Sequence, residues 1–78
     1  MNLQKHLEVT RNAKGLFHAA NLRALRVYLR DTPTNTLLEE IKRLQSVELI
    51  KTLWEAGLKR ILQEASLDRV NYLTRKGR

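Results

Sequence analysis

The stretch Gly57–Arg78, GLKRILQEASLDRVNYLTRKGR, decides how the whole chain is read. As helix, Leu58, Ile61, Leu62 and Ala65 share one face, Ser66 caps a new turn, and Leu67, Val70 and Leu73 form a second face. As strands, KRILQ and RVNYLT flank a turn around ASLD, with Val70, Tyr72 and Thr74 alternating against Asn71 and Leu73. Leu, Gln, Glu and Ala dominate residues 58–65 and favour helix, whereas Val70, Tyr72 and Thr74 favour strand. Local propensity leans slightly to helix.

The rest of the chain reads as helix. Gly57 is the natural stop for VELIKTLWEAG, in which Val47, Ile50, Leu53, Trp54 and Gly57 share a face and Glu48, Lys51, Thr52 and Glu55 face out. Ser46 is placed to cap that segment. Before it, LLEEIKRLQ points Leu37, Leu38, Ile41 and Leu44 one way; Val47 nearly continues this register, so a single bent helix from Leu37 to Ala56 is the alternative. Its start is marked either by Pro33 behind Thr32 or by a capping box of Thr36 and Glu39. Over Leu16–Arg30, Phe17, Ala20, Ala24 and Tyr28 form one line with Leu22, Leu25 and Leu29 beside it, while Arg23, Arg26 and Arg30 lie together on another face. The first segment, Leu3–Ala13, has weak apolar spacing, and residues 1–14 are expected to be a loosely attached helix or arm.

A chain of 78 residues makes one domain, residues 1–78. Folding at this size removes only about 60% of the unfolded surface, so a second copy or a partner that adds buried area is expected, a homodimer among the candidates. There is no cysteine, hence no disulfide and no thiolate metal site. No window approaches the roughly 18 apolar residues of a membrane span, and the N-terminus lacks a signal-peptide core; the expectation is a soluble, cytoplasmic protein without membrane contact.

Charge is the main functional signal. The net charge is +7, distributed as +5 over residues 1–30, −1 over residues 31–66 and +3 over residues 67–78. Basic ends around a balanced middle suit a polyanion, whose counterions they release, or else an acidic protein. Catalysis has no such support. His6 and His18 match no metal spacing, Glu39 and Glu40 point in different directions on a helix, and AKG at Ala13–Gly15 lacks the rest of a phosphate loop. No metal, cofactor or enzymatic activity is expected.

The run LIKTLWEAGLKR followed by DRVNYLTRKGR resembles the second half of a winged helix-turn-helix domain, as in MarR-type repressors, over residues 46–78. The matching positions are Leu49, Ile50, Leu53, Gly57, Leu58, Asp68, Arg69, Leu73, Thr74, Gly77 and Arg78. The resemblance implies a recognition helix over Val47–Ala56 with Lys51 and Thr52 nearest the base edges, and a short C-terminal β-hairpin whose Lys59, Arg60 and Arg69 approach phosphates. Arg23, Arg26, Arg30, Arg75 and Lys76 complete the expected nucleic-acid surface.

The chain is thus expected to be mainly α, either winged-helix-like or an all-α bundle of four or five helices. The expected function is a small basic DNA-binding module, a transcriptional regulator or accessory protein. The alternative is a helical protein-interaction module, an adaptor, inhibitor or accessory subunit of a larger nucleic-acid enzyme, with Trp54 and Tyr72 as aromatic anchors.

Overall fold

A computed structural model describes residues 1–76, with side chains through Arg75. It contains α1 (Leu3–Asn12), α2 (Leu16–Asp31), α3 (Thr34–Arg43), α4 (Val47–Glu55) and α5 (Arg60–Lys76). Among the described residues there is no strand, so the all-α alternative holds and the C-terminal hairpin does not form.

The segment expected as a hairpin is one helix because its inward stripe repeats at helical spacing. Leu62 and Ser66 are buried, and Ala65, Val70 and Leu73 pack against the core. ASLD lies inside α5 rather than at a turn. The Ser66 hydroxyl donates to Gln63 O at 2.7 Å and accepts from Trp54 Nε1 at 2.9 Å, so a residue suited to breaking a helix is satisfied within it. Tertiary burial outweighs the strand preference of Val70 and Tyr72.

Local chemistry accounts for the helix ends. Asn2 caps α1, accepting from Lys5 N at 2.9 Å, and Ser46 caps α4, accepting from Leu49 N at 3.4 Å. Gly57 closes α4 at φ +83°, a left-handed conformation that disfavours any side chain. Pro33 immediately precedes α3 and contributes only its carbonyl, which accepts from Leu37 N at 3.1 Å. The Thr36–Glu39 box is not used; Glu39 lies against Lys42 at the surface, 3.9 Å away. Extended backbone at Leu44 and Ser46 separates α3 from α4, so the single bent helix does not form, and Leu44 is driven into the core.

The largest departure from expectation is α1. Leu3, Leu7 and Thr10 are each 0% exposed, and the helix touches α2, α3 and α4. Far from a loose arm, α1 is the element around which three others pack. Its apolar spacing is weak only because one inward position is Thr10, whose hydroxyl donates to His6 O at 2.7 Å and thereby enters the core satisfied. Glu40 of α3 then ties the assembly. One carboxylate oxygen accepts from Leu3 N at 2.8 Å and the other from the Tyr28 hydroxyl of α2 at 2.7 Å. The His6 ring stacks at a tilt on Tyr28, centroids 4.6 Å apart.

This packing fixes the rotation of α2. Leu22, Leu25, Tyr28 and Leu29 turn inward, whereas Phe17, Ala20 and Ala24, which share a line with Tyr28 in the sequence, face solvent. Trp54 likewise is 39% exposed; Ile50 and Leu53 take the centre that its spacing implied for it.

Two consequences are measurable. Glu40→Gln keeps the shape but turns an amide N–H₂ towards one of two donors, and should lower stability by about 1–2 kcal/mol in urea unfolding after allowance for partial exposure. His6 has its pKa lowered from 6.5 by burial and then by the N-terminal ammonium, against an opposing effect of Glu40. Below 6.5 the unfolded chain therefore takes up a proton that the folded chain resists, and the stability contributed by neutral His6 is lost as pH falls from 6.5 through the folded pKa. Urea midpoints on either side of that window should show this loss, and His6→Phe should remove its share of the slope.

Candidate nucleic-acid interface

Most of the cations expected to contact nucleic acid are placed individually, and few converge. The convergent set is Arg26 and Arg30 from α2 with Lys59 from the segment before α5. Together with Leu29, Ala56, Gly57 and Leu62 they line an open groove of about 440 Å³. Arg26 Nε donates to Ala56 O at 3.2 Å, at the negative end of α4, which anchors the guanidinium. Arg30 Nε lies 3.1 Å from Asp31 Oδ1. Lys59 Nζ donates to Thr34 Oγ1 at 2.8 Å, which ties the start of α5 to the start of α3. Each of these bonds uses one donor of a group that has three or five, so N–H groups are left over for an anion at the groove. Leu62, in the first turn of α5, borders the same groove.

Arg23 lies on the same side of α2, exposed, with no ion pair or hydrogen bond among the described residues. Arg60 is beside Lys59 in sequence but lies along α5 near Glu64, at 3.6 Å. Arg75 is exposed near the end of α5. The side chain of Lys76 lies outside the described residues.

The proposed reading head behaves differently. Thr52 is only 4% exposed and its hydroxyl donates to Glu48 O at 3.2 Å, so it offers nothing to a base edge. Lys51 is exposed but lies 3.5 Å from Glu48. Glu48 also faces Arg11 of α1 at 3.9 Å, and Glu55 meets His18 Nε2 at 3.0 Å, the other ring nitrogen lying 3.0 Å from Thr10 O. The polar face of α4 is thus used to hold α1 and α2. Helix α4 is a packing helix, and its two acids oppose insertion beside phosphates.

Arg69 is also structural. Its Nε donates to Leu44 O at 2.6 Å, satisfying the carbonyl that ends α3, and its guanidinium sits 4.7 Å over the Tyr72 ring. Neither expected aromatic anchor stands free, because Tyr72 lies under Arg69 and Trp54 is bonded to Ser66. The apolar floor of the groove, Leu29, Ala56 and Leu62, was not legible as part of a site, since such residues read as ordinary core. Among the described residues no cluster of three or more metal-binding side chains occurs, and no helix is long and apolar enough to cross a membrane.

Comparison with family models, curated proteins and solved structures found no match to this chain.

Arg69→Ala should lower stability by about 1–2 kcal/mol, because it leaves the partly buried Leu44 carbonyl without its donor and removes the contact with Tyr72. Binding to polyanions should stay within about twofold of the parent once the variant is folded. Urea unfolding and anisotropy titration together check this separation.

Proposed function

We propose that this protein is a small nucleic-acid-binding module that grips the phosphate backbone without reading base sequence through α4. The observation that carries this reading is the convergence of Arg26, Arg30 and Lys59 on one groove, with Arg23 extending the basic stripe along α2. Three cations from two separate chain segments, in a protein of net charge +7, form the electrostatic footprint expected for backbone contact. The absence of a hairpin among the described residues and the committed face of α4 favour contact from the α2 side over major-groove insertion. A transcriptional role would then require a partner that supplies sequence choice.

The second reading, a helical protein-interaction module, is favoured by a different feature. Leu16 and Phe17 at the start of α2 are 89% and 75% exposed, an unusual position for large apolar side chains side by side.

Affinity for a mixed-sequence duplex, measured by fluorescence anisotropy, should fall about tenfold or more between roughly 50 and 200 mM salt. The double variant Arg30→Gln with Lys59→Gln should weaken binding to any duplex and reduce the salt slope by about 2, whereas Lys51→Gln should leave both nearly unchanged. Equal affinity in the double variant, or no binding at the lower salt, would overturn the backbone reading.

A further inference from the structure

The outward face of α2 carries a regular apolar seam. Phe17, Ala20, Ala24 and Val27 follow one another at spacings of three, four and three, all exposed to solvent, with Leu16 at the N-terminal edge. Alternating spacings of three and four are the pattern by which two helices pair. The two central alanines let a second backbone come close, and Phe17 and Val27 supply bulk at either end. One flank of the seam carries Arg23 and Arg30; the other carries Asn21, with half-buried Tyr28 beyond it committed to Glu40 and His6.

We infer that this seam docks an amphipathic helix of a protein partner whose apolar ridge is flanked by acidic residues. The inference rests on the protein-interaction reading, and charge selects the occupant. A second copy would bring a net charge of +7 against the same charge. Paired antiparallel, each flank faces its own counterpart, and Arg23 meets Arg23 near the twofold axis. Paired parallel, Arg23 and Arg30 face the Asn21 flank, which holds no carboxylate. Asp31, the one acid in α2, already lies against Arg30 at 3.1 Å. Arg23 has no protein partner among the described residues, so an acidic flank on the incoming helix supplies the charge that the fold does not.

The test titrates the full chain against a labelled helical peptide of about three heptads, with Leu along its seam and Glu on both flanks, and against the same peptide with Lys in place of Glu. The acidic peptide should bind at least about tenfold more tightly than the basic one, and Phe17→Ala should weaken it by about tenfold or more. The double variant Arg23→Glu with Arg30→Glu should reverse the preference in favour of the Lys peptide. All these side chains are exposed, so the variants are expected to remain folded, which circular dichroism checks.

Acidic-peptide binding that ignores Phe17→Ala but disappears on charge reversal would overturn the seam while leaving the protein-interaction reading intact. A concentration-dependent dimer in sedimentation, lost in Phe17→Ala and accompanied by no peptide binding, would assign the seam to a second copy. Binding to vesicles of anionic phospholipid, sensitive to Phe17→Ala and with neither peptide bound, would assign it to a lipid surface. A monomer that binds neither peptide nor vesicle would overturn the inference, and a pull-down from its host that recovers nothing above background would overturn the reading beneath it.

Discussion

The burial of α1 among α2, α3 and α4 is the constraint on which the remainder of this small fold depends. Helices of 9 to 17 residues are marginal alone in water, so each persists only by what it packs against. Leu3 and Leu7 supply a share of a core made almost wholly of leucine and isoleucine, and Glu40 fastens the helix start to α2 and α3 through its two oxygens. With α1 in place, α2 has a single rotation that buries Leu25 and packs the half-buried Leu22 and Leu29 against the core. Its Phe17–Ala20–Ala24 line is thereby committed to the surface.

The same packing divides the basic residues by task. Arg26 and Arg69 each donate to a backbone carbonyl at the end of a helix, Ala56 and Leu44 respectively, where a cation meets the negative end of the helix dipole. Arg11 and His18 meet the acids of α4. Arg26 also lines the groove with Arg30 and Lys59, so one guanidinium serves both the helix end and the basic surface. The net charge is therefore a poor guide to which cations are left uncommitted; the neighbours of each one decide that.

Much of the helical plan was legible from local chemistry. The Ser46 cap, the Gly57 stop and the inward Leu37 and Ile41 appear as expected, because capping and left-handed backbone are settled within a few residues. The importance of α1 was not legible, since Thr10 hides an inward position behind a polar name until its hydroxyl is seen bonded to His6 O. The hairpin expectation erred for a related reason: Ser66 and Asp68 look like turn residues, but Ser66 finds partners in Gln63 and Trp54 within a continuous helix. Of the basic site, the Arg23, Arg26 and Arg30 stripe could be read from spacing, whereas its meeting with Lys59 could not, because the two segments lie far apart in the chain.

By itself the sequence determined a small, basic, cysteine-free and largely helical domain, since composition, helical period and turn residues act locally and do not depend on the fold. Only the tertiary structure decided which of the two apolar lines on α2 is core, that α4 turns its acids towards α1 and α2, and that Lys59 joins Arg26 and Arg30. Each of those choices follows from how helices share a limited buried volume. A helix with two usable faces has no means of choosing between them until its neighbours are in place.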